Sequence, residues 1–475
     1  MALQISEAEL ERIVRSVLSE LTGSGQNGHN KIFGGRIVNG QCATVDEAVD
    51  AAVTAFKQLS ACSLDDRKRF IEAIRATGLK NKELLAKMAH EETHLGRYEH
   101  KIAKNETACK LTPGVEILEP KAFTGDHGLT VHEWAPFGVV AAITPVTNPS
   151  SVILNNAICM MAAGNATVVN AHPSAKVCSM KTIELINQAV VAAGGPDNVM
   201  TGVLEPTIET GTALMTHRKV DMVVATGGVA VVRAALKSGK RVVAAGPGNP
   251  PVVVDETADI PKAAKCVFEG ASFDNNILCV GEKAVVCTQA AMRPFMDEMR
   301  KLPVYELSAS ELAALMKQIV LTDGAKPRMN GKFVGRNASV LLESIGIRGR
   351  EDVYLLVCQV PQDHQLLYLE QMMPVLPITT APNVDAAIDL AIEIEQGFGH
   401  SAMMHSRDLA ALSRMAKLID TTLFVKNGSS LAGLGVGGEG YTAFTIGTAT
   451  GEGMTTARTF VRERRCALVD YFRIV

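Results

Sequence analysis

The stretch "GVVAAITPV", Gly138 to Val146, decides the architecture of this chain. It is a short run rich in β-branched residues, opened by a glycine and too brief for a helix. Four runs of the same kind follow: "ATVVNA" from Ala166, "VMTGVL" from Val199, "VDMVVAT" from Val220 and "RVVAAG" from Arg241. Helical stretches lie between and around them, at about 150–163, 174–193, 208–217 and 228–238. Strand–helix alternation of this kind predicts a parallel, doubly wound sheet. Ligands of such sheets bind beyond the carboxyl ends of the strands.

Upstream, residues 41–108 are expected to be helical, with Thr44 and Glu47 forming a capping box ahead of "AVDAAVTAFKQL". Downstream, a second alternating region runs from about 251 to 440 and includes "PVVVD", "KAVVC", "DVYLLVCQV" and "TTLFVKNG". The final "RTFVRERRCALVDYFRIV" alternates like a strand. An exposed terminal strand invites pairing with another subunit, pairing within the same chain being the alternative.

The first 21 residues form a separate unit. Leu10, Ile13, Val14, Val17, Leu18 and Leu21 share one helical face, and Ser6 with Glu9 offers a cap. A Gly/Ser/Asn linker, residues 22–34, follows. Such a helix either docks on its own domain or frays, or it offers its apolar stripe to another protein's groove. Its acidic polar face argues against a membrane surface.

Totals narrow the function. The 475 residues are 47% hydrophobic and 20% charged, with a net charge of −3. That balance argues against nucleic-acid binding. No apolar run approaches the length of a membrane span, and the start lacks the pattern of a secretory signal. Ten cysteines without CxxC pairs point to reduced, mostly buried thiols in a cytoplasmic protein rather than a metal centre.

Four motifs bear on chemistry. "GLGVGG", Gly433 to Gly438, matches a dinucleotide fingerprint literally, but the Gly- and Thr-rich sequence after it is poorly helical, so it is expected to be a loop. "ATGG", Ala225 to Gly228, closes one strand and opens a helix, where free N–H groups suit a pyrophosphate, although any strand–helix turn can contain glycine. In "ITPVTNPSS", Asn148 lies just past the first strand, either as an Asn-Pro turn or as an amide donor to a developing oxyanion. In "GASFDNNILCVGEK", Cys279 follows a polar Asp-Asn-Asn run, unlike the cysteines in plainly apolar surroundings. It is either a small core residue or a nucleophile, and a free thiol titrating at about 8.5 would be a few per cent ionised at neutral pH.

Taken together, "TPVTNPSSVILNN", "AAGN", "HPSAK", "TGG", "SGK", "AGPGNPPVVVDETAD", "GASFDNNILC", "MMPVLP", "FVKNGSSLAGLGVGGEG" and "TATGEG" resemble the aldehyde dehydrogenase superfamily. Specifically, residues 35–475 are similar to the CoA-acylating aldehyde dehydrogenases of bacterial microcompartments. The resemblance implies an α/β, aldehyde dehydrogenase-like fold: two doubly wound α/β domains with an oligomerisation strand element. The implied division is an encapsulation helix (1–21), a linker (22–34), an NAD-binding domain (35–250) with a projecting oligomerisation segment at about 118–137, a catalytic domain (251–440), and a C-terminal segment with an oligomerisation strand (441–475). It implies Cys279 as nucleophile, and Asn148 with the Cys279 N–H as oxyanion donors. Thr144, Pro145, His172, Pro173, Thr226, Gly227, Gly228 and Glu370 are the implied cofactor contacts. The implied co-substrates are NAD and coenzyme A, the aldehyde is propionaldehyde or alternatively acetaldehyde, and the partners are shell or other microcompartment proteins and copies of the chain itself, as a dimer or tetramer. The implied location is the cytoplasm, inside a microcompartment.

One departure from hydrolytic relatives carries weight. They hold a glutamate that activates water, and here its position falls on Ala244 or Ala245, within "AAGPGNPP". Without that base, the resemblance implies that the CoA thiol, rather than water, releases the acyl group. The Gly-Gln that precedes the cysteine in those relatives is also absent.

Overall fold

The structure is a computed structural model describing residues 39–475 apart from 323, 325 and 326. The expected N-terminal helix and linker lie outside the described residues.

The opening stretch forms the strand Val139–Ile143, at the centre of a six-stranded sheet. The order across the sheet is 41–42, 200–203, 166–170, 139–143, 222–226 and 241–245, and every pairing is parallel. Val139, Val140, Ala141 and Ala142 are all buried, as expected for a strand covered on both faces. From this strand the chain steps outward to 166–170 and 200–203, then crosses back to 222–226 on the other side. The reversal opens a crevice at the carboxyl ends of 139–143 and 222–226. The helix Pro149–Ala163, which leaves the first of these strands, is buried along its whole length. Proline at its start and Gly164 in the left-handed region at its end delimit it.

Upstream helices run over Val45–Leu59, Leu64–Lys80, Lys82–Thr93 and Tyr98–Leu111. The Thr44–Glu47 capping box forms as expected. The expectation of helix from residue 41 needs correction, because Gln41–Cys42 is an edge strand paired with Gly202 and Val203. Two residues carry too little periodicity to be told from a helix approach.

The second region is a seven-stranded parallel sheet, ordered 304–306, 355–359, 375–381, 284–288, 251–254, 401–405 and 423–426. Separate apolar cores cover its two faces, one around Leu341, Leu356 and Ile388, the other around Val267, Val285 and Phe295. Among the described residues, no helix is long and apolar enough to cross a membrane.

The terminal strand Val461–Val469 finds its partner in the same chain. It pairs antiparallel with Gly128–Pro136, which pairs in turn with Lys121–Gly125. The expectation that this strand pairs with another subunit is therefore replaced by the alternative for its Gly128–Pro136 edge. Asn165 ties this small sheet to the first, donating to Phe460 O at 2.7 Å and accepting from Phe137 N at 2.8 Å and Gly138 N at 3.0 Å.

Gly138 enters the central strand with φ +139, and a Cβ there would lie 2.1 Å from Asp221 Oδ2. That same oxygen accepts from Val139 N at 2.9 Å. Gly138→Ala is expected to lower stability by roughly 1–3 kcal/mol, through backbone strain and loss of the Asp221 contact. Urea denaturation checks it, and an unchanged midpoint would refute this account of the strand entry.

Candidate functional site

Six of the anticipated residues sit at the crevice because two strand ends bring them there. Asn148 is the N-cap of the buried helix, nearly fully buried, and its side chain makes no cap bond. Thr144 and Pro145 follow the same strand, and Thr226, Gly227 and Gly228 follow its neighbour. Gly228 caps the helix Val229–Leu236. His172 and Pro173 lie one strand further out, exposed, with His172 Nδ1 accepting from Ser174 N at 3.1 Å. Two features fit a dinucleotide. The Thr144 hydroxyl is buried with no hydrogen-bond partner among the described residues, and a Cβ built on Gly228 would meet nothing within 4 Å. The literal "GLGVGG" match behaves as expected: a short 3₁₀ turn at Ser430–Leu434 leads into irregular chain, with no helix opening directly after it.

The loop before Cys279 explains the Asp-Asn-Asn run. Asp274, Asn275 and Asn276 are consecutive residues in the left-handed region, with φ of 49, 55 and 60°. Asparagine and aspartate tolerate this conformation best among residues with a Cβ. All three are fully buried, and each side chain fastens the turn. Asp274 accepts from Arg97 N at 2.7 Å, from Lys101 Nζ at 3.5 Å and from Lys104 Nζ. Asn275 donates to Gly335 O at 2.9 Å and Asn337 Oδ1 at 2.8 Å, and accepts from Arg97 Nε at 2.9 Å. Asn276 donates to Glu282 O at 3.0 Å. Gly96 lets the carboxylate come close, since a Cβ there would stand 1.9 Å from Asp274 Oδ1.

Buried charge surrounds the thiol. Lys283 is fully buried and donates to Asn276 O at 2.5 Å, Asn276 Oδ1 at 2.6 Å and Leu278 O at 3.1 Å. Burial lowers its pKa to about 8, against the attraction of Glu370, Cys279 and Glu282. Glu282 accepts from Ser430 N at 2.9 Å and Ser430 Oγ at 2.7 Å, and burial pushes its carboxyl up to about 7. Cys279 itself is half-buried, packed with Phe273 and Leu431 against a small apolar cluster. Burial, then the charge of Glu370, pushes its thiol up to about 11, with Lys283 opposing. The surroundings therefore disfavour the thiolate more than a free thiol's ordinary value of about 8.5 would. Glu370 reaches the site from the second region and accepts from Gly248 N at 3.4 Å, and burial raises its carboxyl.

Asn148 is tied to this loop. Lys104 donates to Asn148 Oδ1 at 2.6 Å, to Thr147 O at 3.2 Å and to Asp274. Burial lowers Lys104 to about 8, although Asp274 draws it upward. The Asp274 carboxyl would be raised by burial, but Lys104 and Lys101 hold it below its ordinary value.

Sequence reasoning missed Lys104, Lys283, Asp274 and His400. His400 is fully buried beside Gly248, whose hypothetical Cβ would lie 2.8 Å from His400 Cγ and 3.0 Å from Cys279 O. Its Nδ1 meets Ser401 Oγ at 2.8 Å, while Nε2 has no partner among the described residues. Burial lowers it to about 4, so it is an uncharged ring. The signal that could have been followed was the pair of charged residues directly after the cysteine, in "CVGEK". Ala244 and Ala245, one of which the resemblance implies to replace the glutamate of hydrolytic relatives, are buried at a strand end. Ala244 N donates there to Thr450 Oγ1 at 2.9 Å.

The aldehyde dehydrogenase family model matches residues 27–456. An acetaldehyde dehydrogenase (acetylating) of Salmonella typhimurium is 45% identical over 99% of this chain and 100% of its own length. A Rhodopseudomonas palustris propionaldehyde dehydrogenase, solved with bound CoA and an acylated cysteine, superposes with a TM-score of 0.89 at 46% identity, covering 91% of this chain and 99% of that one. A propionaldehyde dehydrogenase from the Clostridium phytofermentans fucose utilisation bacterial microcompartment gives 0.90 at 41% identity, over 92% and 100%. With two parallel sheets and a cysteine loop between them, and with matches spanning nearly the full length, the chain belongs to the aldehyde dehydrogenase family.

Proposed function

We propose that the protein is a CoA-acylating aldehyde dehydrogenase, converting propionaldehyde, CoA and NAD to propionyl-CoA and NADH through a thioester on Cys279. Acetaldehyde is the alternative substrate; one methylene is worth only about 1–3 kcal/mol of discrimination in a pocket. The observation that carries this reading is Cys279 on a loop pinned to Asn148 through Asp274 and Lys104, with alanines at 244 and 245. The relatives support it, since two act on propionaldehyde and one on acetaldehyde, and one holds CoA with its cysteine acylated.

The reacting form of Cys279 is the thiolate, formed as the thiol proton passes to solvent water; burial and Glu370 disfavour it and Lys283 favours it. Its sulfur bonds to the carbonyl carbon, and the π electrons move to oxygen. Asn148 Nδ2 and the Cys279 N–H hold that oxyanion, one such donor being worth roughly 3–4 kcal/mol. Re-formation of the carbonyl expels hydride and leaves the acyl thioester. When bound, NAD accepts that hydride. Thr144, Pro145, Thr226, Gly227, Gly228, His172, Pro173 and Glu370 are the residues proposed to hold it. The thiol of CoA then attacks the thioester: its sulfur takes the acyl group as the Cys279 sulfur leaves, and its proton passes to the departing Cys279 sulfur, restoring the thiol. His400 Nε2 is suited to accept a hydrogen bond from the incoming thiol; an imidazole held near 4 orients it rather than storing its proton. Water is a poor competitor without a carboxylate at 244 or 245.

Residues 1–21 are proposed to carry the enzyme into a microcompartment by docking on a shell or core protein. The strands near 121–136 and 461–469 are proposed to join subunits as a dimer or tetramer through their remaining edges.

Cys279→Ala is expected to abolish both NADH formation and acyl-CoA release, and retention of a tenth of either would end the assignment. In the wild-type enzyme, leaving out CoA should make steady aldehyde oxidation very slow, whereas fast free-acid production would favour hydrolysis. Gly228→Val is expected to raise KM for NAD at least about tenfold by filling the space a pyrophosphate needs. Its unfolding midpoint should stay unchanged, and an unaltered KM would remove NAD from this turn. Deleting residues 1–21 should leave turnover and a dimer or tetramer in solution intact, while the protein no longer co-purifies with shells. An inactive or monomeric truncated chain would make that helix part of the fold instead.

A further inference from the structure

Lys104 is a lysine with almost no exposure, and its three ammonium donors are fully used on Asn148 Oδ1, Thr147 O and Asp274 Oδ2. An asparagine carboxamide fits its site in either of two orientations, related by exchange of oxygen and NH2. An ammonium has donors only, so it accepts the oxygen-inward orientation and rejects the other, in which two donors would face each other. In the selected orientation, Asn148 Nδ2 makes one bond, to Thr147 Oγ1 at 3.2 Å. Its second hydrogen is uncommitted among the described residues. The cation on Oδ1 also polarises the amide, which strengthens its N–H groups as donors. Asp274 does not need Lys104 as its sole partner, because Lys101 Nζ and Arg97 N also donate to it. Lys104 is the lysine that touches the amide.

We propose that Lys104 is a positioning residue for the reaction: its ammonium locks the Asn148 carboxamide so that the NH2 group, never the oxygen, faces the oxyanion. This rests on Asn148 being an oxyanion donor. With the amide free to flip, a carbonyl oxygen would meet the developing negative charge for part of the time. The effect falls on the transition state, where the charge exists, and little on the neutral bound aldehyde.

A double-mutant cycle on the full-length enzyme tests this, following NADH formation from propionaldehyde at saturating NAD and CoA. Asn148→Ala is expected to lower kcat by roughly 10²–10³-fold, as loss of one oxyanion donor does elsewhere. Lys104→Met is expected to lower kcat about 10–100-fold in the native background, with KM for aldehyde little changed. In the Asn148→Ala background the same substitution should change kcat by less than about twofold, because the group it positions is gone. Losses that multiply in the double variant would overturn the proposal and make Lys104 a support of the loop alone. Should Lys104→Met not fold, Lys104→Gln keeps a donor for Asp274 yet can also accept, and the same cycle with it must give the same non-additivity. Full activity in Asn148→Ala would instead remove the oxyanion reading itself.

Discussion

A single buried carboxylate organises this site. Asp274 sits at the head of three consecutive left-handed residues, a conformation that costs a residue with a Cβ roughly 1–2 kcal/mol. An unpaired buried charge would cost several more. Lys101, Lys104 and the Arg97 N–H make the arrangement tenable, and all three come from one helix and the residue before it, 170 to 177 positions away in the chain. Anchoring the turn at Asp274 settles where Leu278 and Cys279 emerge. It also couples the thiol loop to Asn148, since one ammonium serves both.

The fold supplies the other half. A strand order that reverses at Val139–Ile143 leaves room between the carboxyl ends of two neighbouring strands, with a glycine turn on one side and Asn148 on the other. The second region brings Cys279, Glu370 and His400 toward that opening around Gly248. The electrostatics there are balanced rather than strongly activating. Burial and Glu370 hold the thiol protonated, while Lys283 beneath the loop pulls the other way.

Much of this was legible from residues alone. The β-branched runs at 139–143, 166–170, 222–226, 251–254 and 284–288 are all strands, because a strand covered on both faces has to be apolar throughout. Asn148 and Cys279 stood out as polar or reactive groups at element ends. The buried lysines did not. In "YEHKIAKNETACKL" they resemble a solvated helix face, since nothing local distinguishes a lysine bound for water from one bound for a carboxylate. His400 was hidden for the same reason. The terminal strand was recognised by its alternation, yet its partner depended on where residues 128–136 return in space.

By itself, then, the sequence determined the α/β class, the order of its elements, and the local turn chemistry of Asp-Asn-Asn and Gly-Gly. These follow from periodicity and backbone sterics within a few residues. Tertiary structure alone decided which charges lose their water, which partners they meet, and how far the Cys279 thiol is shifted. Desolvation and Coulomb attraction depend on distances between groups far apart in the chain, and those distances exist only once both sheets have packed.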